Sequence, residues 1–311
     1  MSPLIHESDI RFDARDGYQL SGIIIAPDAP KAAVLISSGT GFPKELYRRM
    51  ARQGAAMGYA CLLYDYRGIG GSAPQQMKGF KAEVVDWGRL DFAAALDRAQ
   101  ALAPGKPLYT LGHSVGGHLL GFADNGLAPA AHAIVCAGTG YWGAHERSYL
   151  PTALFFWLVY GPACLALTGH IPAGGAWGGM ALPRGVFEQW RRWAFKPGYF
   201  GDELDALGPH CFDSITAPIC DWTFADDTLA SRRAAQDLLA IYTASETRLL
   251  RLDPGEVGAG KVGHFGAFKP AAQGFWPMPF SWFDQLSREP DPQASSQASS
   301  QASGAASKPA P

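Results

Sequence analysis

Cysteine is scarce in this chain: five in 311 residues, at positions 61, 136, 164, 211 and 220. The number is odd, the spacing is irregular and no C-x-x-C pair occurs. That excludes a disulfide frame and a zinc site and predicts reduced, mostly buried thiols. Charge is also sparse, with Asp, Glu, Lys and Arg making up 17% of the residues. Neither sign dominates: 26 basic against 28 acidic side chains leave a formal net charge of -2. With no basic stripe available for phosphates, a dedicated nucleic-acid binder is excluded. The first residues, Met1 to Asp9, are polar and acidic and lack the basic and apolar regions of a secretory signal, so a cytoplasmic protein is expected.

Apolar residues, at 47%, suffice for a large core. Only the far end cannot contribute to it. After Pro290 a repeated Gln-Ala-Ser-Ser unit has no large apolar side chain to offset the entropy of ordering, so residues 290–311 read as a disordered tail.

Between these ends, short apolar runs alternate with helical spacing. Asp9–Ala14 and Gln19–Ala26 flank Asp16-Gly17 and predict an opening antiparallel hairpin. Strands are expected at Ala32–Ser38, Ala60–Tyr64, Leu108–Leu111, Ala133–Cys136, Pro218–Phe224 and Thr247–Leu252. Helices are expected over Glu45–Met57, Glu83–Leu102, a short stretch from Gly116, Leu229–Tyr242 and Ala271–Leu286. Such alternation predicts a mostly parallel sheet flanked by helices on both faces. It breaks over 139–210, which is rich in tryptophan, glycine and proline. That segment reads as a helical, apolar lid inserted between core segments 1–138 and 211–289. Its run Leu150–Thr168 carries no charge and is long enough to span a membrane. Gly161-Pro162 interrupts it, however, and a span would place two halves of one sheet on opposite sides of a bilayer. Two short lid helices are therefore expected, with shallow interfacial contact as the only membrane role.

The chemistry centres on Gly112-His113-Ser114-Val115-Gly116. A G-x-S-x-G pattern arises by chance roughly 0.3 times in a chain of this composition, so the pattern alone is weak. Its setting is stronger, because a strand precedes it and a helix start follows. A serine on such a turn is pushed out of the sheet, beside a helix N-terminus that favours developing negative charge. Serine needs a base, and the chain order Ser, Asp/Glu, His points to His264 in Gly263-His-Phe-Gly266, after the last strand. His210 precedes the neighbouring strand and reads as a surface or lid residue. Asp226 and Asp227 both follow strand Pro218–Phe224. Asp227 is preferred as the acid that orients His264, with Asp226 as a turn or capping residue. Oxyanion donors are expected from the N–H groups of Val115 and of Thr40, in the glycine loop Ser37-Ser-Gly-Thr-Gly41. Asp65-Tyr-Arg-Gly-Ile-Gly-Gly-Ser72 lacks both G-x-G-x-x-G and a Walker lysine, so it predicts no nucleotide site but an internal Asp65–Arg67 pair. His113 is expected to pack or hydrogen-bond behind the nucleophile.

Taken together these residues resemble the α/β-hydrolase fold superfamily. Gly112–Gly116 is similar to its nucleophile elbow, Asp65–Ser72 to its D-x-R-G-x-G-x-S loop and Gly263–Gly266 to its catalytic histidine loop. Tyr47-Arg-Arg-Met-Ala51 and Phe224-Ala-Asp-Asp227 are similar to bacterial serine hydrolases of the serine-aminopeptidase-like branch. The resemblance covers residues 9 to 287 and departs from many relatives in having Ser38-Gly39 where they carry His-Gly. It implies ester-type acyl chemistry through Ser114, His264 and Asp227, with no cofactor or metal, and the apolar lid favours a small-molecule ester with a hydrophobic acyl or alcohol part. The alternatives are an acyltransferase, thioesterase or peptidase with the same three residues, or a non-catalytic receptor.

Overall fold

The structure is a computed structural model and describes residues 4–288. The expected tail, 290–311, lies outside the described residues. Eight strands form one sheet in the order β1-β2-β4-β3-β5-β6-β7-β8. The opening hairpin joins β1 (Ile5–Asp13) and β2 (Gln19–Pro27) in antiparallel register from Ile5↔Pro27 to Asp13↔Gln19. β2 then pairs antiparallel with β4 (Tyr59–Tyr64). From there to β8 every pairing is parallel: β3 (Ala32–Ser37), β5 (Leu108–His113), β6 (Ala131–Val135), β7 (Ile219–Phe224) and β8 (Thr247–Leu252).

Strands β3 to β7 are buried at every residue, which explains why β3 and β4 read as continuous apolar runs and why even the polar residues of β5, β6 and β7, Thr110, His132 and Asp221 among them, lie inside. Each face of the sheet has its own core. One face packs against helices Arg48–Ala56 and Pro277–Leu286 through Met50, Phe280 and Phe283. The other packs against a helix over 84–100, through Trp87, Phe92 and Leu96, and against the segment inserted between β6 and β7, through Phe187, Trp193 and Phe200.

Three local expectations are corrected. The helix expected after Ser114 is two 3-10 turns, Ser114–Gly117 and Leu120–Phe122. Gly116, Gly117, Gly121 and Gly126 each weaken an α-helix by about 1 kcal/mol relative to alanine, and the connection to β6 is short. The pair expected between Asp65 and Arg67 does not form. Asp65 Oδ2 accepts from Lys44 Nζ at 2.7 Å, whereas Arg67 reaches Asp91 Oδ1 at 2.7 Å and Asp16 Oδ1 at 2.8 Å.

The third correction concerns the inserted segment. Leu150–Thr168 is one helix, not two, and is long and apolar enough to cross a membrane. A π turn, Phe156–Tyr160, precedes Gly161-Pro162 and widens the coil, so the proline is passed without a break. Pro162 has no N–H to give, and the carbonyl of Trp157, five residues earlier, accepts instead from Arg191 Nε at 2.7 Å. Arg184 Nη2 bonds the Leu165 carbonyl at 2.7 Å in the same way. Both arginines belong to helix Arg184–Ala194, which straps the apolar helix to the rest of the domain.

Candidate active site

Strand β5 ends at His113, and the chain then turns through a left-handed backbone at Ser114, φ 52°. For a non-glycine residue that conformation costs on the order of 1–3 kcal/mol, and the neighbouring residues explain how it persists. A Cβ on Gly112 would meet the Gly116 carbonyl at 2.4 Å, and one on Gly116 would meet the Ser37 carbonyl at 2.6 Å. Only hydrogens fit at both positions, so the two glycines of the motif are what let the strand reverse tightly enough to present Ser114 Oγ.

His264 approaches from the loop after β8. Its Nε2 lies 3.0 Å from Ser114 Oγ, and its Nδ1 lies 2.8 Å from Asp227 Oδ2. A carboxylate only accepts, so Nδ1 carries the proton and Nε2 is left to accept from the serine hydroxyl. Asp227 is held in turn, because Oδ1 accepts from the backbone N–H groups of Leu229 at 2.9 Å and Ala230 at 3.0 Å. Burial, the largest single influence, favours its neutral acid. The adjoining His264 and these hydrogen bonds outweigh burial and keep the carboxyl below its usual range.

Asp226 is not a simple capping residue. Oδ2 accepts from Val262 N–H and Oδ1 from Gly263 N–H, both at 2.9 Å, so its carboxylate clamps the two amides just before His264. The doubled aspartate thus divides its work: one side chain holds the imidazole, the other the loop that carries it. Gly263, φ 59°, supplies the bend between them.

Behind the serine runs a second set of bonds. His113 is fully buried, and its Nε2 lies 2.9 Å from the His264 carbonyl. That carbonyl accepts, so Nε2–H donates and Nδ1 accepts from Tyr47 Oη at 2.6 Å. Tyr47 Oη in turn accepts from Gly39 N–H at 2.8 Å. Burial pushes the His113 pKa down to about 3, which keeps the ring neutral and this polarity fixed. The chain of bonds ties the glycine loop, helix Arg48–Ala56, the elbow and the histidine loop together. Tyr47 had no signal in the sequence beyond its place in Tyr47–Ala51.

The glycine loop lies beside Ser114. Gly39 N–H is engaged by Tyr47, whereas Thr40 N–H has no partner among the described hydrogen bonds. Thr40, Val115, Ser114 and His264 all line one cavity of about 410 Å³. Much of its wall is aromatic and comes from the inserted segment, Tyr149, Phe156, Trp157, Trp177, Trp190 and Tyr199, while Phe42, Phe265 and Lys269 reach it from the core. Trp177 packs on Gly41, where a Cβ would meet the indole at 2.5 Å, and Met180 N–H bonds the Gly41 carbonyl at 2.8 Å. Among the described residues no group of three His, Cys, Asp or Glu side chains could hold a metal ion.

Comparison with known proteins agrees with this architecture. The family described as serine aminopeptidase, S33 matches residues 28–163. The structure is similar to a monoglyceride lipase from Saccharomyces cerevisiae, with a TM-score of 0.59 at 14% identity over 92% of this chain and 96% of that one. The Pyrococcus furiosus esterase Pf2001 gives a TM-score of 0.54 at 16% identity, over 90% and 93% of the two chains. These likenesses show that the chain has the α/β-hydrolase fold. A curated relative, the quorum-quenching protein AidA of Acinetobacter baumannii, is 30% identical over 123 residues. That stretch is 38% of this chain, and it spans only 39% of the relative's length. In this fold the elbow, the aspartate pair and the histidine loop all lie beyond the C-terminal ends of parallel strands, where open α/β sheets build their sites.

Proposed function

We propose that the protein is a serine hydrolase cleaving carboxylic esters with a hydrophobic acyl or alcohol part. Ser114 Oγ attacks the acyl carbonyl while His264 Nε2 takes its proton. The tetrahedral oxyanion is met by the N–H groups of Val115 and Thr40. His264 then returns the proton to the departing alcohol, leaving an acyl-Ser114. Water, deprotonated by the same imidazole, attacks this ester and releases the acid. Asp227 keeps Nδ1 protonated and stabilises the imidazolium that forms. The observation that carries this reading is the unbroken run of hydrogen bonds from Ser114 Oγ through His264 to Asp227.

The cavity wall separates ester from peptide chemistry. An aminopeptidase must hold a charged amine, yet no aspartate or glutamate is among the residues lining the cavity. Lys269 is the one charged side chain in that lining, so an ammonium would meet a like charge and no counter-charge, and a substrate without an amine fits better. The inserted segment acts as a lid in this reading, and the outward side chains Phe155, Leu158, Val159 and Leu167 suit shallow contact with an apolar interface. Five free thiols support a reducing, cytoplasmic setting.

Labelling with a fluorophosphonate tests the proposal. The wild type is expected to react at Ser114 with loss of esterase activity, and Ser114→Ala to remain unlabelled. Wild-type protein that stays unlabelled beside a reactive control esterase would sink it.

A further inference from the structure

Three residues lining the cavity carry hydrogen-bond acceptors that a plain alkyl ester does not use; two of them, His118 and Thr139, are buried and the third, His145, is partly buried. His118 follows the elbow and is 4% exposed. Its Nε2 lies 3.0 Å from the Gly138 carbonyl. That carbonyl can only accept, so Nε2 bears the proton and Nδ1 is a bare acceptor, which has no partner. His145 enters from the inserted segment with the same logic reversed. Nδ1 lies 3.0 Å from the Leu229 carbonyl and donates to it, leaving Nε2 as the acceptor. Burial keeps both rings neutral, pushing His118 down to about 4 and His145 below its ordinary value. Thr139, 2% exposed, follows β6 and leaves its Oγ1 buried without a partner. All three residues line the cavity that contains Ser114 and His264.

Unpaired polar atoms in an apolar wall are costly in the empty protein, and a ligand with the complementary group removes that cost. Charge is not what they ask for, because both imidazoles are neutral and each has already given its one N–H to a backbone carbonyl. They ask for a donor. We propose that His118, His145 and Thr139 form a polar subsite for a hydrogen-bond donor of the substrate, an amide N–H or a hydroxyl carried close to the scissile carbonyl. This rests on the ester-hydrolase reading and narrows it, from hydrophobic esters in general to acyl esters that also bear one neutral donor.

Matched pairs of p-nitrophenyl esters test it. One pair is 3-acetamidopropanoate and its N-methyl derivative; the other is a 3-hydroxyacyl ester and its O-methyl ether. In each pair size is nearly kept and only the donor is lost. At least one donor-bearing ester is expected to exceed its methylated partner about 10-fold or more in kcat/KM, since a site built for a donor rejects the analogue lacking it. The pair that discriminates identifies the donor as amide or hydroxyl. In His145→Phe and His118→Phe that ratio is expected to fall toward one, whereas His145→Asn, which keeps a donor and an acceptor, retains part of it. Equal kcat/KM within both pairs in the wild type would overturn the subsite while leaving ester hydrolysis intact. Calorimetric binding of the same pairs to Ser114→Ala reads the preference without turnover. Discrimination there with no hydrolysis by the wild type would keep the subsite and sink the hydrolase reading; equal binding would sink the subsite.

Discussion

The sheet floor and the inserted roof of this molecule meet at the same cavity but are held by different forces. On the floor, Ser114 and Asp227 follow strand ends whose backbone ladders fix them, and His264 sits in a loop that the Asp226 carboxylate clamps. Around them buried pairs such as Lys44 with Asp65 and Arg67 with Asp91 tie loop to loop. The roof is held mainly by side-chain packing. Phe156 alone contacts the rings of Trp157, Trp177, Phe187 and Trp190, with centroids 4.8, 5.2, 5.5 and 6.0 Å away. The roof also bonds to the floor, from Met180 N–H to the Gly41 carbonyl in the glycine loop and from Glu146 N–H to the Thr228 carbonyl. Backbone ladders fix atoms to fractions of an ångström, whereas packed aromatics tolerate repacking. Floor substitutions should therefore change turnover of every substrate alike, and roof substitutions should change which substrate is preferred.

The largest effect should come from the floor. Asp227→Asn keeps the shape and the amide contacts to Leu229 and Ala230 but favours the wrong imidazole tautomer, so kcat is expected to fall about 10⁴-fold for all esters. Asp226→Asn places an amide where two backbone N–H groups need acceptors. It should cost about 10- to 100-fold by loosening the histidine loop, with KM nearly unchanged. Steady-state kinetics on both variants checks the division of roles, and a larger loss in Asp226→Asn than in Asp227→Asn would reverse it.

The floor was also the legible part of the sequence. Strands β3 and β4 are buried on both sides and leave continuous apolar runs, and the elbow leaves a glycine pattern because only hydrogens fit beside Ser37 and Gly116. The order of Ser114, Asp227 and His264 along the chain follows from the strands that carry them. Less was readable where a partner is chosen by topology. Asp65 and Arg67 are neighbours in sequence, yet each pairs with a residue that the fold brings from elsewhere. Asp226 could have been suspected, since adjacent side chains point apart and Gly263 marks a loop needing an anchor. His113 was legible as a residue packing or hydrogen-bonding behind the nucleophile, but its partner Tyr47 was not, because that bond depends on how the turn leading into helix Arg48–Ala56 sits against the elbow. The roof misled for another reason: Gly161-Pro162 reads as a break, and nothing local announces that a π turn and Arg191 will repair it.

A roof variant sharpens the comparison at smaller magnitude. Trp177→Ala removes the indole that packs on Gly41 and lines the cavity. For a bulky apolar acyl ester, kcat/KM is expected to drop about 10-fold, in line with the area lost from an apolar pocket. An acetate ester should change less than about threefold. Measuring both substrates on one preparation isolates selectivity from stability. A uniform loss across acyl sizes would mean that the roof positions the reacting groups too, and the distinction between the two regions would fail.

The smallest effect concerns the floor away from the cavity mouth. His132, on β6, is buried, with Nδ1 2.7 Å from Thr110 Oγ1 and Nε2 unpaired. Burial pushes its pKa down to about 3, against 6.5 for the unfolded chain. Below pH 6.5 the unfolded state therefore binds a proton that the folded state refuses, and the stability this histidine lends is lost as pH falls toward 3. Buried carboxyls such as Asp91, raised by burial to about 7, act in the opposite sense, so total stability is a poor readout. The difference between wild type and His132→Gln cancels them. As pH falls from 6 to 4, denaturant titrations should show the variant gaining on the wild type by up to about 1.4 kcal/mol per pH unit, with ester turnover unmoved at pH 7. A pH-independent difference would mean that the ring takes up its proton inside the fold, and the floor would then be wetter beneath β6 than its packing implies.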